Sequence, residues 1–144
     1  MTVRGGTAAL RSVLSRRLAA CLRRPVSRRA AEFTVLLTGD SELRSLNRRY
    51  RGKDEVTDVL SFGADGANLG DVAISVPALA RKSRNSGLSV ADEALTLAVH
   101  GRLHLGGMDH ATVRGYASMR RAEESLLARH RLRSGLERAA EEVE

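Results

Sequence analysis

The stretch Val99-His100-Gly101-Arg102-Leu103-His104-Leu105-Gly106-Gly107-Met108-Asp109-His110 constrains this chain more than any other. It gathers three of the four histidines at the spacing H-x3-H-x5-H. On a helix, His100 and His104 are i and i+4, so both imidazoles leave one face a turn apart. Gly106-Gly107 supplies the backbone freedom that ends a helix and lets the chain double back, which carries His110 toward the other two. Three neutral imidazoles meeting at one point, with a fourth position open to water, form the ligand set of a catalytic zinc-type ion. The rival reading, ordinary helix-face or core histidines, suits an isolated histidine better than three at this spacing. His130, in an arginine-rich helical stretch, reads as a solvated side chain.

The block is similar to the H-E-x-x-H-x-x-G-x-x-H pattern of metzincin proteases. Every histidine falls in place, and Gly107 stands at the glycine position. Gly101 occupies the position of the glutamate, the group that in zinc peptidases takes a proton from the metal's water. The ligand spacing survives without the proteolytic base, so the metal site belongs to some other reaction.

A length of 144 residues with 42% hydrophobic side chains fits one domain, residues 1–144, with a real core. The single cysteine, Cys21, excludes an internal disulfide framework and fits a reducing compartment, hence a cytoplasmic protein. It lies on the apolar stripe of an expected helix and reads as a small core residue. No apolar run approaches the ~20 residues that span a bilayer, so no membrane is expected. The formal charge of +7, carried mostly by arginine, favours polyanionic partners and nucleic acid above all. An arginine-rich proteome would produce the same balance. Aromatic residues make up only 3% of the chain, so base stacking has few platforms and binding should lean on backbone charge and shape.

Residues 1–31 contain no acidic residue, a composition shared by organellar transit peptides. The preferred reading is a basic, folded amphipathic helix at about 7–23, because Leu10, Val13, Leu14, Leu18, Cys21 and Leu22 recur at helical spacing before Pro25. Glu32 to Thr38 reads as a buried strand. Asp40 or Ser41 caps a short helix to about Arg49, with Leu43 and Leu46 inward, and residues 47–55 follow as a charged loop. Thr57–Phe62 and Leu69–Ser75 read as strands paired in a hairpin. Pro77 starts a helix to about Arg84, broken at Asn85-Ser86-Gly87, and Ser89 caps the histidine helix at about 90–105. A last helix runs from about Thr112 to 132 with Met119, Leu126 and Leu127 inward, and residues 134–144 fray.

Several of these blocks match a family in order. Leu46-Asn47-Arg48-Arg49-Tyr50-Arg51-Gly52-Lys53-Asp54, Thr57-Asp58-Val59-Leu60-Ser61-Phe62, Leu69 to Ser75, His100 to His110, and Met119 with Glu123 together resemble the YbeY endoribonuclease family. The resemblance covers roughly residues 33–127. It implies an α+β fold: a small mixed β-sheet packed with helices, with the metal site between a central helix and the following turn. It also implies a metal-dependent, single-strand-specific endoribonuclease that matures the 3′ end of 16S small-subunit rRNA and serves ribosome quality control. His100, His104 and His110 carry over as ligands of one Zn2+ per chain, other divalent metals remaining open, and Arg51 as the functional arginine. Small-subunit ribosomal proteins and a ribosome-assembly GTPase are the implied protein partners. There are departures from the family pattern. Gly63 replaces a usual proline, Met108 a common tyrosine, and Ala111 a frequent acidic residue, which leaves the orientation of His110 less defined. The N-terminal part looks short of the strand that usually opens the family fold.

On this reading the metal acidifies a water or polarises a phosphoryl oxygen, and Arg51 holds a non-bridging phosphate oxygen. Alone, Arg51 would read as a solvated loop charge. Asp109 either hydrogen-bonds a ligand histidine or caps a turn. Asp58 and Asp71 serve structure at least as readily as catalysis, and the general base is unassigned between water activation and attack by the RNA 2′-hydroxyl. The alternatives are a non-catalytic rRNA-binding assembly factor with a structural metal and, disfavoured by Gly101, a zinc peptidase. Oligomeric state is not legible in the sequence.

Overall fold

The computed structural model describes residues 1–22, 32–63, 68–105 and 112–142, with side chains at 1–22, 33–63, 70–105 and 112–128. Along the chain come β1 (Thr2–Gly5), α1 (Ala8–Cys21), β2 (Glu32–Thr38), α2 (Asp40–Arg51), β3 (Val59–Gly63) and β4 (Asn68–Ser75). Helices α3 (Val76–Ser86), α4 (Val90–Leu105) and α5 (Val113–Glu142) follow. The strands form one mixed sheet in the order β1-β2-β4-β3. β2 runs parallel to both β1 and β4, while β3 pairs with β4 as an antiparallel hairpin. This is the α+β architecture expected from the sequence.

Alternation along the central strands sorts the helices into two layers. Phe33, Val35 and Leu37 of β2 and Val72 and Ile74 of β4 face one side and meet α1, α4 and α5 through Leu14, Leu18, Leu95, Ala98, Leu103 and Met119. The intervening positions face the other way, where Ala73 and Leu60 pack with Leu43 of α2, flanked by Leu36, Leu46 and Phe62. Each such fully buried side chain contributes roughly 1.5–3 kcal/mol. Helix α4 is therefore apolar on most sides, and its histidines emerge at the rim of the larger core. Cys21, 6% exposed, lies in that core as expected, and burial raises its thiol pKa.

Four boundaries differ from the sequence reading. The opening strand is present: β1 pairs with Thr34 to Leu37 of β2. It is four residues long and mostly exposed, so backbone pairing holds it and no apolar alternation announces it. Helix α2 runs past its expected end near Arg49 through Tyr50 and Arg51, residues that charge alone had suggested were loop. Arginine is a good helix former, three arginines in the last turn suit the negative end of the dipole, and Gly52 at φ 67° closes the helix in the left-handed region. Asn47 is buried, and its side-chain amide donates to the Glu55 carbonyl at 3.1 Å, tying down the chain that follows. The N-cap of α2 is Gly39, not Asp40 or Ser41. Asp40 instead accepts from Ser75 Oγ at 2.6 Å and pairs with Arg81, which lowers its pKa. Helix α5 continues to Glu142 and does not stop near 132. Apart from Ser134 and Gly135, residues 133–142 are mostly good helix formers by type, arginine, leucine, glutamate and alanine, which favours continuation.

The other elements lie close to expectation. Pro77 lies in the first turn of α3 as expected, while its N-cap is Ser75, which the sequence reading had not named, and the helix runs on through Asn85 and Ser86 to end at Gly87. Ser89 caps α4 reciprocally: its hydroxyl accepts from Asp92 N at 3.0 Å, and Asp92 accepts from Ser89 N at 3.1 Å.

Candidate functional site: a histidine pair and an arginine cleft

The i,i+4 spacing does what it predicts. His100 and His104 leave the same side of α4 with ring centroids 4.7 Å apart and planes at 77°. Glu123 reaches across from α5, its Oε1 in contact with Nδ1 of His100. The pair is partly enclosed, with 33% of the His100 side chain and 22% of the Glu123 side chain exposed. A carboxylate on Nδ1 fixes the ring orientation and the tautomer, the arrangement by which ligand histidines are held. Beside the pair a cavity of about 280 Å³ opens between α4 and α5, with Thr96, Tyr116, Met119 and Arg120 on its walls.

Asp109 and His110 lie outside the described residues, as does the Gly106-Gly107 bend. Among the described residues, no group of three or more His, Cys, Asp or Glu side chains is arranged to hold a metal ion. The donor chemistry present still fits one: two imidazoles on adjacent turns, one braced by a carboxylate, are two thirds of the expected set. The side chain of His130 is also outside the described residues.

Gly101 explains why α4 lies so close to the sheet. A Cβ built there would fall 2.6 Å and 2.8 Å from the two γ-carbons of Val72 and 3.1 Å from Ser61 Oγ. The position that holds a glutamate in zinc peptidases here faces the sheet, with no space for a side chain.

Arg51 is placed elsewhere. As the last residue of α2 it is exposed on the other layer, lining a cleft of about 770 Å³ with Tyr50, Phe62, Ser61, Arg4 and Asp71. The cleft and the histidine cavity share no lining residue. They meet through β3: Ser61 lines the cleft, and its hydroxyl abuts Gly101, next to His100. Asp71 belongs to the cleft, whereas Asp58 is occupied structurally, 2.5 Å from Lys82 Nζ, with its carbonyl accepting from Ser75 N at 2.9 Å.

Two participants escaped reading by spacing. Glu123 is 23 residues from His100, a separation with no periodic signal, and only its place in a family block marked it. Arg102, two residues beyond His100, is buried to 5% exposure with its guanidinium 5.8 Å from the Phe33 ring centroid. Its Nη1 has no hydrogen-bond partner among the described residues, and burial lowers its pKa.

A small α+β protein with a carboxylate-braced histidine pair on one side of an edge strand, and an arginine cleft on the other, is the class this geometry defines. The match to known proteins is specific. Residues 4–131 fit the family model for endoribonuclease YbeY. The chain is 45% identical over 115 residues to endoribonuclease YbeY of Solibacter usitatus, covering 72% of this chain and 78% of that one. It is 42% identical over 112 residues to the Moorella thermoacetica protein of the same name, covering 68% and 72%. For the Anaeromyxobacter protein the figures are 43% over 128 residues, covering 85% and 65%. The solution structure of TM1509 from Thermotoga maritima shares the fold at a TM-score of 0.59 and 23% identity, covering 92% of this chain and 91% of that one. The chain belongs to the YbeY endoribonuclease family.

Proposed function

We propose that this protein is a metal-dependent endoribonuclease that cuts single-stranded RNA and acts in maturation of the 16S rRNA 3′ end and in ribosome quality control. The observation that carries the reading is the brace of Glu123 on His100 beside His104, on a helix that meets the Arg51 cleft through one strand. His100, His104 and His110 would hold the metal, with zinc as the ion this donor set suits best. That ion supplies Lewis acidity, which lowers the barrier to attack on a phosphodiester near neutral pH.

The chain's own residues do the rest. Arg51 offers a fork of N–H donors to a non-bridging phosphate oxygen and offsets negative charge that grows in the transition state. Glu123 holds His100 in one tautomer. The surplus of positive charge, +7 overall, draws in a polyanion from a distance. Small-subunit ribosomal proteins and a ribosome-assembly GTPase belong to the same proposal through the family resemblance, as does a cytoplasmic location. In support of the location, α1 lies in the segment a transit-peptide reading would remove, and it contributes Leu14, Leu18 and Cys21 to the core. No described helix is long and apolar enough to cross a membrane.

Incubation of metal-loaded protein with single-stranded and duplex RNA tests the reading. Cleavage confined to the single strand is expected, lost on chelation and restored by zinc. Arg51→Ala and His110→Ala proteins that still fold should lose about a hundredfold or more in rate. Undiminished cleavage by chelated His110→Ala protein would remove the metal mechanism, and casein hydrolysis in place of RNA cleavage would restore the peptidase reading.

A further inference from the structure

The composition, with 3% aromatic residues, suggests that nucleic acid is held by charge alone. The tertiary structure changes that expectation. Two of the four aromatic side chains, Tyr50 and Phe62, come together at the Arg51 cleft with ring centroids 5.1 Å apart and planes at 60°. This edge contact fixes the Tyr50 ring without covering it, for Tyr50 stays 63% exposed. The chain neighbour of that exposed ring is the arginine expected to hold phosphate. The cleft walls carry Glu42 and Asp71 as well as Arg4 and Arg51. Two acids against two bases give a polyanion little net attraction inside the cleft, so something other than charge must hold a strand there. Its volume, about 770 Å³, lies within the ~300–1,000 Å³ of sites that enclose small ligands.

We propose that Tyr50 is a base-stacking platform: one nucleobase of single-stranded RNA lies on its ring while Arg51 engages the neighbouring phosphate. The inference rests on the nuclease reading and adds the interaction that selects an unpaired strand. A base inside a duplex is stacked on its neighbours and cannot present its face to the ring, whereas a single-stranded base can. Stacking also differs from phosphate binding in its response to salt. Removing one arginine–phosphate interaction lowers the slope of log K against log salt by about one, whereas removing a stack leaves the slope unchanged.

The test is equilibrium binding of a short fluorescent single-stranded RNA to the full chain under chelation, across a salt series. Tyr50→Ala should weaken binding by about tenfold at every salt concentration with the wild-type slope, and Tyr50→Phe should bind as wild type. Arg51→Ala should reduce the slope. With an abasic strand, wild type and Tyr50→Ala should bind alike, because the ring then has nothing to stack on. Thermal unfolding of each variant separates a weakened fold from a missing platform. Tyr50→Ala binding as wild type, or losing as much on the abasic strand, overturns the inference while an Arg51-dependent slope leaves the nuclease reading standing. Absence of RNA binding by the wild type overturns both.

Discussion

A methyl group at position 101 would meet both γ-carbons of Val72 inside van der Waals contact, and Val72 is a fully buried β4 residue that cannot swing away. Gly101→Ala should therefore cost about 1–3 kcal/mol in chemical unfolding, although alanine is the better helix former. Val72→Ala in the same chain should recover part of that loss, and strict additivity of the two changes would refute the clash. At Glu123 the expected loss is in metal affinity. Glu123→Ala should weaken zinc binding, read by competition with a chromogenic chelator, by about 10–100-fold. Glu123→Gln should fall between, since its amide oxygen can still accept from Nδ1–H. Equal zinc affinity in all three proteins would show the contact to be incidental. Arg102 presents the opposite case, a charge taken out of water with one nitrogen that no described residue satisfies. Arg102→Met keeps most of the volume and removes the charge, so stability in denaturant should be unchanged or higher.

Between elements, the contact with a measurable signature is the ion pair of Arg17 on α1 with Asp92 in the first turn of α4. Partial burial on its own would raise the Asp92 pKa, but hydrogen bonds from Arg17 and Ser89 outweigh it and hold the value at about 2. The folded state thus favours the ionised carboxylate relative to the unfolded chain. Its contribution, on the order of 2 kcal/mol, is complete above about pH 4 and is lost as pH falls through 2. Urea midpoints across that range should drop more steeply for the wild type than for Asp92→Asn, and parallel curves would contradict the assignment. Because α4 carries the histidines, this pair also anchors the site's helix to the N-terminal helix. Helix α2 also outruns its expected end near Arg49 by Tyr50 and Arg51. A run of arginines resembles a loop to a charge count, yet arginine continues a helix well, and only the left-handed turn at Gly52 ends it.

Across the whole molecule, one sheet separates two clefts, and the hairpin strand β3 lies between them, Ser61 lining one and reaching the helix that carries the other. Local signals in the sequence determined most elements: the apolar stripe of α1, the buried strands β2 and β4, the Pro77 start of α3, the Ser89 cap of α4, and the one-face placement of His100 and His104. Those are local properties, set within a few residues by backbone geometry and side-chain type. The tertiary structure alone decided that Glu123 braces His100, that Tyr50 meets Phe62 beside Arg51, and that Arg102 lies buried on Phe33. It also decided that a four-residue strand with no apolar alternation closes one edge of the sheet. Each of these joins residues far apart in the chain, and such contacts arise from how layers pack after the elements exist, a step that leaves no period in the sequence to read.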